Sequence, residues 1–370
     1  SGPNKGDAET DFAVRLWSLK DGREVRRFLG HNGPVAAVTF SPDGKLGCSA
    51  SVDGTLRLWQ IPETPLIGIG IDTRAGQAGW EPADWVESAA FSPDCSYVLF
   101  GLHNGDVSLL EVATGHELRR FKGHAYSVRS VAFSPDGRRA ITGGFDAVVR
   151  IWDVKTGSEL HTLRGHKHTI RSALFGADGS LAVTGGSDSI IRIWDYAKGL
   201  EIAKLEGHQN KVLKISLGDK LAVSTGLDNT IRVWDVGAKR QISSLVGHDG
   251  RVATLTVSPN GDLALTGGYD KTVRLWDLRD GKQVHQFENH PDIVTAVAFS
   301  KDSRRAVSVC EGFHARQDGV LRVWDIQENQ RIDSCKGFDS PIRSVSFSPD
   351  GGSILCALAD RTIRVIQVER

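Results

Sequence analysis

Four residue types that could perform chemistry recur together six times along the chain. Each set holds a histidine, a serine or threonine, an aspartate and a tryptophan in the same order. Serine, histidine and aspartate together can activate a hydroxyl as a nucleophile, as in hydrolases. The repetition argues against catalysis, because an enzyme needs one activated nucleophile rather than six. The sets are His31, Ser49, Asp53, Trp59; His124, Thr142, Asp146, Trp152; His166, Thr184, Asp188, Trp194; His208, Ser224, Asp228, Trp234; His248, Thr266, Asp270, Trp276; and His290, Ser308, Asp318, Trp324.

The spacing of the tryptophans shows that the chain is a repeat. Each ends a run of alternating apolar residues, and most lie 42 residues after the one before. One such unit contains four short alternating runs, at 128–133, 139–142, 148–154 and 159–163, with glycine-containing turns between them. Even spacing of short strands, with no helical period, predicts an all-β array.

Two dipeptides in these units resemble a known family. Glycine–histidine opens a unit, as at Gly123-His124, and tryptophan–aspartate ends its third strand, as at Trp152-Asp153. A 42-residue period that carries both resembles the tryptophan–aspartate (WD) repeat β-propeller, most closely its regular bacterial members. The resemblance runs from about residue 11 to the C-terminus and implies four-stranded antiparallel blades. Eight equivalent first strands predict eight blades, with seven as the alternative; they begin at Val35, Val86, Val128, Ile170, Val212, Val252, Val294 and Ile342.

The family closes its ring by pairing N- and C-terminal strands, which removes free sheet edges. We expect 23–29 to be the outer strand of the closing blade. Segments 12–19 and 362–368 then compete for the third-strand place, or one becomes an extra edge strand. The expected organisation is one propeller domain over 12–370, after a leader or cleavage remnant at 1–11.

The resemblance also gives the six sets a structural role. In the family, tryptophan Nε1, the hydroxyl, the imidazole and the carboxylate form one hydrogen-bonded chain that satisfies buried polar groups. Two units depart from the pattern, and we expect them to be less rigid or held by other contacts. Their residues are Pro82, Phe100, Asn104 and Leu110 in the second unit, and Phe338, Cys356, Asp360 and Ile366 in the last.

Partners of the family dock where first strands begin and where the second-to-third strand loops lie. Of the sixteen positions that flank the first apolar residue of each first strand, five are basic and one is acidic. Arginine with aromatic residues is the usual anchor of protein interfaces. The candidate binding residues are Arg129, Arg171, Lys211, Arg251, Arg343, Phe145, Leu227 and Tyr269. Insertions at 62–84 and 310–317 are expected at the rim of the ring. They either carry function or are neutral sequence variation.

Composition narrows the class of function. Lys+Arg and Asp+Glu are both 45, so the net charge of zero argues against a partner that is nucleic acid. The longest apolar run, 65–71, is far shorter than the ~18 residues of a membrane-spanning helix. Five cysteines without C-x-x-C spacing favour reduced thiols in a cytoplasmic protein over disulfides or zinc. The cluster His161, His166 and His168 is a weak metal candidate.

The resulting prediction is a non-catalytic, monomeric scaffold without metal or cofactor. It binds a protein or peptide, acidic or phosphorylated, and is either a whole protein or a portion of a larger signalling or assembly protein. The alternative is a propeller enzyme or small-ligand sensor that uses the central channel.

Overall fold

The computed structural model describes most of the chain, and the statements below refer to that part. The described residues are 13–18, 24–29, 35–51, 53, 55–60, 79–80, 86–113, 116–177, 179–218, 220–287, 289–310, 319–338, 342–347, 353–358 and 363–367. The predicted leader at 1–11 and nearly all of the two insertions lie outside these residues. Within them, every regular element is a strand, and no helix is long and apolar enough to cross a membrane.

The strands follow each other in short meanders. The first described strands are β1 (Ala13–Ser18) and β2 (Glu24–Leu29). The first sheet contains β3 (Val35–Phe40), β4 (Leu46–Ser51), β5 (Leu56–Gln60) and β6 (Gly79–Trp80). The second contains β7 (Val86–Phe91), β8 (Tyr97–Leu102), β9 (Val107–Glu111) and β10 (Glu117–Phe121). The third contains β11 (Val128–Phe133), β12 (Arg139–Gly144), β13 (Val148–Asp153) and β14 (Glu159–Arg164).

The pattern continues to the C-terminal sheet. The fourth sheet contains β15 (Ile170–Phe175), β16 (Leu181–Gly186), β17 (Ile191–Asp195) and β18 (Leu200–Leu205). The fifth contains β19 (Val212–Leu217), β20 (Leu221–Gly226), β21 (Ile231–Asp235) and β22 (Arg240–Leu245). The sixth contains β23 (Val252–Val257), β24 (Leu263–Gly268), β25 (Val273–Asp277) and β26 (Lys282–Gln286). The seventh contains β27 (Val294–Phe299), β28 (Arg305–Cys310), β29 (Gly319–Asp325) and β30 (Gln330–Phe338). The last begins with β31 (Ile342–Phe347), β32 (Ser353–Leu358) and β33 (Ile363–Gln367).

The sheets are arranged as blades around a ring. The first strand of each sheet contacts the first strand of the next, from β3 through β27 to β31, and β31 contacts β3. The described strands therefore form eight sheets in a closed circle, with their first strands lining a central channel. This is the predicted all-β propeller of antiparallel, mostly four-stranded blades, and we number the blades one to eight from β3.

The hydrophobic core lies between blades. Ile141, Val149 and Ile151 of the third blade form one buried cluster with Ile170 and Phe175 of the fourth. Fully burying each such side chain contributes about 1.5–3 kcal/mol.

Glycine lets neighbouring blades approach closely. A Cβ atom on Gly143 would lie 2.6 Å from a methyl carbon of Ile170 in the next blade. One on Gly185 would lie 2.5 Å from Cδ1 of Ile215. The glycines near the ends of the second strands therefore set the distance between sheets.

The closing blade differs from the prediction. Its order is β2-β1-β33-β32-β31, so it has five strands rather than four. β1 pairs with β33 in parallel, with Trp17 opposite Ile366, and β2 pairs antiparallel with β1. Closure through N- and C-terminal strands is confirmed, and β2 of segment 23–29 is the outer strand, as predicted, although it pairs with β1 and not with a C-terminal strand. β33 takes the third place and β1 the fourth, because placing β1 beside β33 satisfies an edge that would otherwise be exposed.

Candidate ligand face and the networks beneath it

The repeated polar sets form continuous hydrogen-bonded chains in blades three to six. In the fourth blade, Trp194 Nε1 donates to the Thr184 hydroxyl at 2.8 Å. That hydroxyl lies 2.8 Å from His166 Nε2, and His166 Nδ1 lies 3.0 Å from both oxygens of Asp188. In the other three blades the histidine–hydroxyl distance is 2.7 Å and the histidine–aspartate distances are 2.8–3.1 Å.

One assignment of protons satisfies each member of the chain. The indole N–H donates to the hydroxyl oxygen, the hydroxyl donates to Nε2, and the N–H at Nδ1 donates to the carboxylate. The Thr184 side chain is fully buried, as are the hydroxyl residues Thr142, Ser224 and Thr266. A hydroxyl that substrate cannot reach is not a nucleophile, so the resemblance to a hydrolase triad ends at residue type.

The carboxylates of these chains are held ionised. Burial acts to raise the pKa of Asp188, but the hydrogen bonds from His166, from the backbone N–H of Lys167 and from Arg192 outweigh it. The pKa of Asp188 therefore lies well below its usual range, and that of Asp270 is lowered in the same way beside His248.

A third-strand arginine extends the chain of the fourth blade and lies beside the others, and sequence reasoning missed it. Arg192 is 2% exposed and donates to Asp188 and to Glu201 on the fourth strand, both at 2.9 Å. Arg232 and Arg274 donate at 2.6 and 2.8 Å to the fourth-strand glutamines 241 and 283. The signal was an arginine two residues before each network tryptophan, at Arg57, Arg150, Arg192, Arg232, Arg274 and Arg322.

The same arginine explains the glycine of the glycine–histidine dipeptide. A Cβ atom on Gly165 would lie 3.0 Å from Arg192 Nε and 3.2 Å from the ring edge of Trp194. Gly207 is confined in the same way by Arg232 and Trp234. The dipeptide thus places the histidine and makes room for the arginine.

The first and seventh sets are only partly within the described residues. His31, Asp318 and the side chain of Trp59 lie outside them, whereas Ser49 is buried. In the seventh blade, Ser308 lies 2.7 Å from His290 Nε2 and accepts the indole N–H of Trp324 at 2.7 Å. Among the described residues, the buried Nδ1 of His290 has no hydrogen-bond partner, so the predicted bond to Asp318 is not part of the described structure.

The two departing units are described unequally. In the second blade, Phe100 and Leu110 occupy the hydroxyl and tryptophan places and pack in one buried apolar cluster, so apolar contacts replace the network there. Asn104 accepts the backbone N–H of Asp106 at 2.9 Å. In the last blade Cys356 is buried. Pro82, Asp360 and the side chains of Phe338 and Ile366 lie outside the described residues.

Arg171 feels the positive charges of two other predicted binding residues. The pKa of Arg171 is lowered, first because burial removes water from its guanidinium and then because of the positive charges of Arg129 and Arg251. The three side chains come from blades three, four and six. We call Arg129, Arg171, Arg251, Phe145 and Tyr269 the ligand face.

Two of these arginines stack on the predicted aromatic residues. The guanidinium carbon of Arg129 lies 4.9 Å from the ring centre of Phe145, and that of Arg251 lies 5.4 Å from the ring centre of Tyr269. Both rings remain 46–47% exposed, so each offers an open aromatic surface beside a positive charge.

The ligand face carries little negative charge. Arg129 pairs with Glu87 at 2.9 Å, and Arg171 donates to the Ser187 hydroxyl at 3.2 Å. Neither Arg171 nor Arg251 has a carboxylate partner among the described residues, and the buried Nε of Arg251 has no hydrogen-bond partner there. Two positively charged groups are thus available to a ligand.

The remaining candidates lie nearby or outside the described side chains. The two predicted binding residues of the fifth blade are joined through their backbones, because the N–H of Leu227 donates to the carbonyl of Lys211 at 2.8 Å. Lys211 is exposed and Leu227 is half-buried. Arg343 is the second residue of β31, but its side chain lies outside the described residues. His161 bonds the carbonyl of Ala197, and no group of three or more potential metal ligands gathers within the described residues.

A cleft of about 550 Å³ between the second and third blades adjoins the ligand face. Its lining is His103, Asn104, Ala125, Tyr126, Ser127 and Phe145. Tyr126 is 64% exposed. The sequence analysis did not name it as a binding residue, although its place just before β11, the first strand of the third blade, was a usable signal. His103 Nδ1 lies 3.0 Å from Glu87, which joins the cleft to the Arg129–Glu87 pair.

Comparison with known proteins agrees with this geometry. The family model described as "WD domain, G-beta repeat" matches residues 22–60, 115–153, 157–195, 199–235, 239–277, 281–325 and 329–367. The chain belongs to the WD-repeat family. The family model finds seven repeats, whereas the described strands form eight sheets. The difference is the second blade, β7–β10, which lies mostly between the first two matched segments and lacks the tryptophan and histidine of the network.

Relatives of this WD-repeat protein match it over short stretches. Serine-threonine kinase receptor-associated protein from Homo sapiens is 50% identical over 50 residues, 14% of each chain. Apoptotic protease-activating factor 1 from Mus musculus is 27% identical over 150 residues, 33% of this chain and 12% of the relative. The matches thus span a small part of these relatives' length.

One solved structure matches nearly the whole WD-repeat chain. The crystal structure of the computationally designed Ika8 protein covers 96% of this chain and 100% of its own, with 26% identity and a TM-score of 0.78. This likeness concerns the architecture of the propeller.

Proposed function

We propose that this WD-repeat protein is a non-catalytic scaffold that binds an acidic or phosphorylated segment of a partner protein across the ligand face. One observation carries the proposal: the charges of Arg129 and Arg251 act on Arg171 from two other blades, and among the described residues Glu87 is the one carboxylate paired with these three arginines. Like charges brought together in a partly desolvated place destabilise one another, and an anionic ligand would relieve that cost. Each guanidinium can hold a carboxylate or phosphate through two hydrogen bonds.

The aromatic surfaces suggest how the rest of the segment binds. Phe145 separates the Arg129 guanidinium from the cleft, and Tyr126 forms another exposed wall of that cleft. An apolar side chain of the partner, close in sequence to its acidic group, would fill the cleft while the acid meets Arg171 and Arg251. Buried aromatic and arginine anchors of this kind dominate protein interfaces.

The relatives support a protein partner in general terms. One is named for association with a kinase receptor, which is a statement about that protein. We further propose that the propeller is monomeric and that it is cytoplasmic, the latter because Cys48 and Cys310 are buried free thiols. Because the repeats are regular, we still predict that the protein is most similar to bacterial members of the family. Cross-linking in the native cell extract would test the oligomeric state.

A charge-reversal experiment tests the proposal. Fluorescent peptides that contain an aromatic residue near glutamates or a phosphoserine are titrated with the protein and with the variant in which Arg129, Arg171 and Arg251 become glutamate. The phosphorylated and unphosphorylated peptides distinguish the two anions. We expect binding to be lost in the variant and to weaken as salt rises, because rim charges are screened within about 8–10 Å at physiological ionic strength.

The matched control carries the same charge change on the opposite face. Arg138, Lys155 and Arg304 are exposed and lie in the turns between first and second or third and fourth strands. Their triple change to glutamate should leave peptide affinity unchanged. Equal loss in both variants, or retained binding in the first, would show that the ligand face is not the binding site.

A further inference from the structure

Lys214 interrupts a ring of small residues in the central channel. It is the third residue of β19, and the same place in the other seven first strands holds Ala or a small hydroxyl residue. Those residues are Ala37, Ser88, Ser130, Ser172, Thr254, Ala296 and Ser344. One long cationic side chain therefore stands at a level of the channel where every other blade has a short neutral one.

The small residues at this level join neighbouring blades. Ser130 accepts the backbone N–H of Ala173 in the next first strand at 3.0 Å, and Ser172 accepts that of Ile215 at 3.2 Å. Between β19 and β23 the corresponding bond is made two residues later, from Val257 N–H to the Ser216 hydroxyl at 3.0 Å. Lys214 is thus not needed to hold the two strands together.

The Lys214 ammonium is both open to water and surrounded by protein. Its side chain is exposed to solvent, yet the surrounding protein displaces enough water to lower its pKa. A side chain that projects into a narrow water-filled channel has this combination of properties. Among the described residues it makes no hydrogen bond or ion pair.

The first strands offer Lys214 no counter-charge. Glu87 is the single acidic residue in the eight first strands, and it pairs with Arg129 and His103 at the ligand face. The two neighbouring blades are also cationic towards the mouth of the channel: Arg171 aligns one position before Lys214, and Arg251 aligns three positions before it. A charge in a desolvated place without an opposite charge is costly, and a bound anion would offset that cost.

We propose that the central channel binds a small free anion at Lys214, of the phosphate or carboxylate class. The ammonium supplies up to three hydrogen-bond donors, and the short neighbours leave room for the anion beside it. The site is distinct from the ligand face, because it lies inside the channel and needs no partner protein. It makes the channel a small-ligand site within the scaffold.

Protection from chemical labelling tests the site directly. The protein is reductively methylated with formaldehyde and borohydride, with inorganic phosphate as the probe, and the rate at each lysine is read by mass spectrometry. When free phosphate is about nine times the dissociation constant, labelling of Lys214 should slow about tenfold, since only the unoccupied fraction reacts. Exposed Lys155 is the internal control and should keep its rate at matched ionic strength.

A variant separates specific binding from general salt effects. Lys214→Thr introduces the residue type that the next blade has at Thr254, and the saturable part of the phosphate-dependent rise in melting temperature should then be lost, leaving only the gradual stabilisation that phosphate gives as an excluded salt. In the unchanged protein the phosphate increment should be larger and saturable. Equal increments in both proteins, or equal protection of Lys214 and Lys155, would overturn the proposal.

The peptide experiment keeps this site separate from the proposed function. Lys214→Thr should bind the acidic peptides as the unchanged protein does. If the peptides protect Lys214 from methylation and phosphate does not, the channel is part of the peptide site, and the idea of an independent small-anion site is wrong.

Discussion

His166 Nδ1 lies 3.0 Å from each carboxylate oxygen of Asp188, and the two side chains are only 1% and 4% exposed. The negative charge of Asp188, which is shielded from water, is stabilised by hydrogen bonds from the imidazole, from Arg192 and from the backbone N–H of Lys167. The carboxylate is therefore the point at which the network meets the loop that opens its own unit.

Replacing that carboxylate should destabilise the fold. We expect Asp188→Ala to lower the free energy of unfolding by about 1–3 kcal/mol, because the imidazole and the backbone N–H lose a buried acceptor. Urea denaturation followed by tryptophan fluorescence measures this. Asp280→Ala, at an exposed aspartate in a turn, is the control and should leave the midpoint unchanged. Equal midpoints for both variants would contradict the structural role of the network.

A second substitution should stabilise the protein. Thr225 is fully buried in the place that Gly143 and Gly185 hold in neighbouring blades, and its hydroxyl has no hydrogen-bond partner among the described residues. Thr225→Val keeps the shape and removes the unpaired group, so it should raise the free energy of unfolding by about 1 kcal/mol.

The contrasting variant is the same change within a network. Thr184→Val should lower the free energy of unfolding by about 1–3 kcal/mol, because both Trp194 Nε1 and His166 Nε2 lose their partner. Both variants are compared by urea unfolding. Loss of stability in Thr225→Val as large as in Thr184→Val would show that the buried hydroxyl is in fact satisfied.

Stability should fall on mild acidification because of buried neutral histidines. Burial, and secondarily the charge of Arg322, lowers the pKa of His290 from 6.5 to about 3, and burial also lowers that of His208. Between these two pKa values the unfolded chain binds a proton at His290 that the folded chain does not. The free energy of unfolding therefore declines as pH falls below 6.5, by at most about 1.4 kcal/mol per pH unit for each group.

The variant His290→Gln isolates this contribution. Its free energy of unfolding should depend less steeply on pH between pH 7 and pH 5 than that of the unchanged protein, whatever its stability at pH 7. Denaturant titrations at several pH values provide the slopes, and indistinguishable slopes would show that His290 takes up its proton in the folded state.

Removal of the first two strands should expose a sheet edge. A chain that begins at residue 30 lacks β1 and β2, and the backbone groups of β33 that pair with β1 then face solvent. We expect a lower melting temperature and concentration-dependent association, measured by light scattering. A chain that begins at residue 13 keeps both strands and is the control. A shortened chain that stays monomeric and equally heat-stable would mean that β1 is dispensable for closure.

The sequence predicted those features that depend on local spacing. Strand order within a blade and the His166–Thr184 contact follow from the repeat itself, and ring topology brings Arg129, Arg171 and Arg251 together. The closing blade was harder, because 12–19 and 362–368 both have third-strand patterns, and their pairing joins remote parts of the chain. Arg192 was overlooked because arginine in a strand is usually solvated, and Lys214 because one lysine does not disturb an alternating pattern.

The parallel pairing of β1 with β33 also has a kinetic consequence. Blades three to seven are built from neighbouring strands, so their contacts are local in sequence and can form early during synthesis. The pairing of β1 cannot form until β33, the last of the described strands, has been synthesised. Until then β1 and the last blade built each present an unpaired edge, and neighbouring chains on one messenger RNA could exchange them. The regular blades can therefore form without waiting for distant strands, and we expect misassembly mainly at the closing blade, where β1 pairs with β33.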